Sequence, residues 1–350
     1  MERSGEKAYF AAVNSGSGFV SFFEEIFYAP SIIRRYIIKG GPGTGKSSFM
    51  RRIAKHAEQI GVGVRYYYCS SDTDSLDGVI IDGKIALLDG TAPHSCDTVL
   101  AGACDEIINL GEFWNASLLA ERKSEITRYS YLKKCEYACA YSYLGAALRV
   151  MEAQASLTKR FIDREKLTKS AQKICADQVV GGGKVVHMQT SAFGVKGTAH
   201  LDTLKRAARG ICAVEDHYGA GALFMSELLR SARVRGCDVA VSFDTVSQSV
   251  PEEILFLESG ELFYLCRSAA DNERAVRCTR FVDKNALAPL RSACRVSAHS
   301  CEDILSLAAD RLAMAGSCHA ATERIYIEAM NFDGVREKCN AVIRDTERYY

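Results

Sequence analysis

One octapeptide restricts the folds open to this chain more than any other feature. It is Gly40-Gly41-Pro42-Gly43-Thr44-Gly45-Lys46-Ser47, which fits the pattern G-x-x-x-x-G-K-[ST] without a mismatch. Its flanks are the ones that pattern requires. Tyr36-Ile37-Ile38 is a short aromatic and β-branched run suited to a buried parallel strand. Downstream, Phe49, Ile53 and Ile60 follow helical spacing, and Gly61 can end the helix. The glycines let backbone N–H groups turn inward around phosphates, and the helix start adds unpaired N–H donors and a positive dipole end. Lys46 is expected to reach the β- and γ-phosphates, and the Ser47 hydroxyl to ligate Mg²⁺. Gly41, Pro42, Gly43, Thr44, Gly45, Lys46, Ser47 and Ser48 form the expected nucleotide-contacting set, with ATP and Mg²⁺ as ligands. No Asn-Lys-x-Asp guanine signature is present, which favours ATP over GTP.

A metal-bound nucleotide needs a carboxylate near Ser47. In "KIALLDGTAPH", Ile85 to Leu88 read as a buried strand, and Asp89 stands at its C-terminal end, where ligands bind on parallel sheets. Asp89 is the expected metal-side carboxylate, with an Asp-Gly turn as the alternative. Gly90 follows it where fast motor ATPases place a water-activating Glu, so motor-type turnover is not expected. His94 could contact phosphate or sit on a surface loop. A further strand at Tyr66 leads into Asp72, Asp74 and Asp77. Asp72 could act as a base, bind metal or close a turn.

The second half echoes the first. With an offset of 175 residues, Phe49 falls on Phe224, Met50 on Met225 and Gly61 on Gly236. "ICAVEDHYGAGALFM" then takes the place of the phosphate loop, but Gly221 and Ala222 stand where Lys46 and Ser47 should be, and Cys266 stands near the Asp89 position. Glu215 and Asp216 flank the turn and would repel phosphate. The expected architecture is α/β: two tandem P-loop NTPase-like domains, each a mostly parallel sheet flanked by helices with a long helical C-terminal extension. Residues 1–180 carry the intact loop, and 185–350 form the degenerate copy. The glycines of "QVVGGGKVV" mark the boundary.

The long helical stretches, about 115–175 and from 301 onward, contain no proline. The first reads as a helical hairpin. Arg122, Lys123 and Arg128 on it could form a phosphate lid or a solvated face, and Trp114 at its start reads as a packing anchor. Such helices could also carry a homo-oligomer contact or an unknown protein partner. The net charge of +1 gives no overall nucleic-acid signature. No apolar run approaches the ~20 residues a membrane helix needs, and "MERSGEKAYF" lacks a secretory pattern. The 14 cysteines are scattered, which suits reduced thiols in the cytoplasm.

"VNSGSGF", "KGGPGTGKS", "CSSDTDSLDGVII", "LLDGTAPH" and "IEAMNFDGV" together resemble a bacterial, mostly Firmicute, family of tandem P-loop ATP-binding proteins. The resemblance covers nearly the whole chain. It implies two P-loop domains, ATP binding and possible hydrolysis. Family members typically carry a P-loop in both halves, and this chain departs from that at Gly221-Ala222. The expected function is slow Mg-dependent ATP hydrolysis at one site, with the second half structural or regulatory. The alternatives are a small-molecule or nucleotide kinase and a non-enzymatic ATP-sensing switch.

Overall fold

The structure is a computed structural model, and it describes residues 7–93 and 96–350. His94, and most of the N-terminal segment read for a secretory pattern, lie outside the described residues. The chain begins with β1 (Lys7–Phe10), a hairpin of β2 (Ala12–Ser15) and β3 (Gly18–Ser21), and α1 (Phe23–Phe27). Next come β4 (Arg34–Lys39), α2 (Lys46–Gln59), β5 (Val64–Tyr68), β6 (Leu76–Ile81), β7 (Ile85–Asp89) and β8 (Asp105–Asn109). The helical stretch consists of α3 (Ala116–Glu121), α4 (Lys123–Thr158) and α5 (Arg164–Ala176).

The second half repeats this order. It runs through β9 (Val185–His187), the hairpin β10 (Ser191–Gly194) and β11 (Gly197–His200), α6 (Thr203–Ala207), β12 (Gly210–Glu215) and α7 (Ala220–Arg235). Then follow β13 (Val239–Phe243), β14 (Pro251–Phe256), β15 (Glu261–Cys266), β16 (Ala275–Arg277), α8 (Arg291–Ala329) and α9 (Phe332–Thr346). The two six-stranded sheets have the same order, β1-β5-β6-β7-β4-β8 and β9-β13-β14-β15-β12-β16. They also share strand directions. In each, one strand (β6 or β14) runs antiparallel to its neighbours, because a tight hairpin feeds it back beside the next strand. The fold is therefore α/β with two mixed sheets.

Each sheet is covered on both faces. In the first lobe Phe49, Met50 and Ile53 of α2 pack on one face, while Phe23 and Phe27 of α1 cover Ile37, Ile80 and Leu88 on the other. In the second lobe Phe224, Met225 and Leu228 of α7 do the first job and Leu204 of α6 the second.

The long helices cross between the lobes. α4 and α8 lie antiparallel, as shown by Glu136 with Arg311 at 3.2 Å and Arg122 with Glu328 at 3.0 Å. At ~1.5 Å per residue each is about 55 Å long, enough to span both lobes. Small residues at the contact, Ala140, Ala308 and Ala315, let the helices approach closely, and Leu144 and Leu312 fill the space between. The helical hairpin expected within the first half does not form, since α4 finds its partner in the second half.

Beyond the crossing, the short terminal helices are exchanged. Leu167, Ala171 and Cys175 of α5 enter the second-lobe core, while Val335, Cys339 and Val342 of α9 enter the first-lobe core. Both helices start at a side-chain cap. Asp163 accepts from the Lys166 N–H, and Asn331 accepts from those of Asp333 and Gly334. The lobes are also tied by Phe10 N–H to the Gln189 carbonyl at 2.8 Å and Asn14 Nδ2 to the Phe193 carbonyl at 2.8 Å. No helix among the described residues is long and apolar enough to cross a membrane.

Candidate functional site: a glycine-rich loop under a helix from the other half

β4 delivers the chain to residues 40–45, and α2 begins at Lys46. Gly43 (φ +70°) and Gly45 (φ +89°) take the left-handed conformation that turns the loop back over the helix start. The loop is also crowded from above. A Cβ on Gly43 would lie 2.6 Å from the Glu323 carbonyl oxygen, and one on Gly41 2.6 Å from the Tyr326 ring. Both of those residues belong to α8. Trp114 packs edge-on against Tyr326 with ring centroids 5.8 Å apart, so the only tryptophan does anchor packing, and it does so at the rim of this loop.

Lys46 folds across its own loop. Its Nζ donates to the Gly40 and Gly41 carbonyls at 3.0 and 2.9 Å, and lies 3.6 Å from Asp89 Oδ2. Thr44 Oγ1 closes the turn on the Gly41 carbonyl at 2.9 Å. Ser47 Oγ accepts from the Leu76 N–H at 3.0 Å, which leaves a second oxygen lone pair for another partner. Ser48 is exposed and lines a groove between α2 and α9.

Asp89 ends β7, directly beside β4 in the sheet, and one of its oxygens accepts from Thr91 N–H and Oγ1. The Asp-Gly turn and the lysine-facing carboxylate are thus the same residue seen from its two oxygens. Gly90 is packed so closely that a Cβ there would meet Ile37 Cγ2 at 2.4 Å, which explains why no Glu follows Asp89. Among the described residues, no group of three or more His, Cys, Asp or Glu side chains is arranged to hold a metal alone. Mg²⁺ usually takes only one or two protein oxygens and fills its shell from phosphates and water. The donor pair Ser47 and Asp89 fits an ion that arrives with a nucleotide.

The acidic loop divides into two kinds of carboxylate. Asp72 is exposed, and its two oxygens accept from Asp74 N–H at 3.1 Å and Ser75 Oγ at 2.8 Å. It is placed as a turn-closing residue. Asp77 belongs to β6 rather than to the loop, and it is 5 % exposed. Burial, and then the neighbouring Asp89 charge, push its carboxyl up to about 8. An ordinary unfolded Asp titrates near ~4. Below that value both states are protonated. Between it and about 8 the folded state alone holds the proton, so stability falls as pH rises through this window. Asp77→Asn removes the titration. We expect the variant to gain stability over the wild type between pH 5 and pH 8 by at least about 1 kcal/mol, one pKa unit's worth. Paired thermal melts at the two pH values measure this, and parallel pH profiles would contradict it.

The proposed lid arginines do not line the loop as a group. Arg122 pairs with Glu125 and Glu328, and Lys123 and Arg128 are exposed on the helix face. Lys133 of α4 and His319 of α8, whose Nζ and Nδ1 are 3.5 Å apart, instead lie close enough to Lys46 to feel its charge. Nothing in the local sequence around either marks it, because their position depends on two helices from opposite halves crossing.

The second loop is shorter. Four residues, 216–219, link β12 to α7, against six in the first lobe. Gly219 (φ +81°) caps α7 as Gly45 caps α2, but α7 starts one residue earlier relative to its buried Phe224 and Met225 than α2 does relative to Phe49 and Met50, so Gly221 and Ala222 keep the Lys46 and Ser47 places on the helix. Asp216 does more than repel an anion. Its Oδ1 accepts from the Gly221 N–H at 2.8 Å, and the backbone at Gly219 and Ala222 also donates to its carboxylate. The helix-terminal donors that would hold a phosphate are already taken by the chain's own carboxylate.

No protein-family model, curated protein or solved structure matches this chain.

Proposed function

We propose that the first lobe binds Mg-ATP at residues 40–47 and hydrolyses it slowly, while the second lobe serves as a scaffold or regulator without a nucleotide of its own. One observation carries this reading. A glycine-turned loop, the N-terminus of α2, the Lys46 ammonium and the Asp89 carboxylate converge within one small volume, with Lys46 Nζ 3.6 Å from Asp89 Oδ2. On nucleotide entry Lys46 would leave the Gly40 and Gly41 carbonyls for the β- and γ-oxygens, and the freed loop N–H groups would face phosphate. Bound Mg²⁺ supplies charge neutralisation of the β- and γ-phosphate oxygens. Ser47 Oγ and Asp89 would orient that charge. Hydrolysis adds water to the γ-phosphorus and breaks its bond to the bridging oxygen, releasing ADP and phosphate. Slow turnover follows from Gly90, which offers no side chain to activate the water and has no room for one.

Mg-ATP titration calorimetry on the full chain, followed by phosphate release without added acceptor, tests this. We expect one site per chain and acceptor-independent release. Two sites, or none, would overturn the reading.

A further inference from the structure

We propose that Lys133 and His319 form the outer half of the phosphate site, so that the terminal phosphate of a nucleoside triphosphate is held by the helix pair α4–α8 as well as by the loop. The proposal rests on the ATP reading above and specifies which part of the ligand the α4–α8 pair recognises.

The argument begins with placement. α8 lies on the loop through the Glu323 carbonyl and Tyr326, and His319 is one turn before Glu323, its Nε2 3.6 Å from Glu323 Oε1. α4 is held at the same place from the other side. Tyr137, one turn after Lys133, donates from its hydroxyl to Ser71 Oγ at 3.0 Å, beside the acidic loop. The two helices thus bring Lys133 Nζ and His319 Nδ1 to 3.5 Å from each other, close enough to Lys46 to feel its charge.

Such a gathering is unfavourable without an anion. Lys133 is pushed down chiefly by burial and then by the Lys46 charge, with Glu323 opposing. His319 is pushed down by burial and by Lys133, and it feels Lys46 and Asp72 as well. Three basic groups share one half-buried volume, and Asp89, Glu323 and the more distant Asp72 offset only part of their repulsion. A polyphosphate reverses this balance, since its charge favours the protonated forms of Lys133 and His319. Lys46 already serves the β- and γ-oxygens. Cations beyond it, on the Asp72 side, would meet a terminal phosphate and so distinguish a triphosphate from a diphosphate. Because one cation is on α4 and the other on α8, γ-phosphate occupancy is read by the helices that carry the chain between the lobes.

The test is calorimetry with Mg-ATP and Mg-ADP on the full chain and on Lys133→Gln, His319→Gln and Lys133→Arg. We expect Lys133→Gln to weaken Mg-ATP binding about tenfold, the equivalent of one charge-assisted contact. Mg-ADP should change less than about threefold and Lys133→Arg should recover most of the ATP affinity, with unchanged melting temperatures throughout. Equal losses for both nucleotides, or none for either in the two Gln variants, would overturn the proposal and leave the loop reading standing. A wild type that binds neither nucleotide would sink the loop reading itself, and this proposal with it.

Discussion

Deleting residues 331–350 will unfold the first lobe, although that segment is encoded at the far end of the chain. α9 places Val335, Cys339 and Val342 in the same core as Phe49, Met50 and Ile53 of α2. Burial of a large aliphatic side chain is worth about 1.5–3 kcal/mol, so the three together contribute on the order of 5 kcal/mol. A domain's whole stability is about 5–15 kcal/mol. The helix also supplies Asp345, which accepts from the Tyr36 hydroxyl at 2.5 Å and pairs with Arg34 at 3.0 Å. Losing it would leave a buried tyrosine hydroxyl without that acceptor and strip a largely buried guanidinium of one of its two carboxylates. Calorimetric melting of the truncated chain should show the first-lobe transition lost or moved below room temperature, with a second-lobe transition still present. Limited proteolysis should then cut within residues 34–89. Two unchanged transitions would mean that α9 does not complete the first core.

Lys46→Ala should lower Mg-ATP affinity at least about 100-fold and leave the fold intact. A lysine on a triphosphate makes charge-assisted contacts worth about 1.5–3 kcal/mol each, and a loss of ~1.4 kcal/mol is tenfold in affinity. The structural cost is small. Among the described residues Lys46 Nζ is held by the Gly40 and Gly41 carbonyls and by Asp89 at the end of β7, groups at a partly exposed loop. We expect a melting temperature within about 2 °C of wild type, as for a change of a few tenths of a kcal/mol. Full affinity in this variant would place the nucleotide elsewhere on the chain.

Local structure is legible in the sequence, and long-range placement is not. The loop at Gly40 to Ser47 could be read residue by residue because its geometry is dictated by adjacent glycines and the helix that follows. Asp89 could be read for the same reason, as the end of a short buried strand. The repeat was visible as matching apolar positions, and the two sheets have the same strand order. The shortening of the second loop is not legible, because apolar matches on α7 fix the helix face but not the length of the loop before it. The sequence pattern puts Asp77 in the loop, because an acidic side chain within a buried strand runs against that pattern. Lys133 and His319 were invisible. Each is one more polar residue on a long helix, and only the crossing of α4 with α8 brings them together. The same crossing explains why an unbroken amphipathic stretch looked like a hairpin. Periodicity shows that a helix has a partner, not which segment supplies it.

The exchange of α5 and α9 changes the order of the folding reaction. Neither half contains all of the core it needs, since each lobe is finished by a helix belonging to the other. Two separate halves could complete one another only by meeting in solution, at a rate that falls with dilution. The chain between α5 and β9, residues 177–184, removes that dependence. It holds the missing helix of each lobe at a fixed effective concentration set by a few residues of tether. Completion of both cores is then unimolecular, and should proceed at the same rate in a dilute sample as in a crowded one.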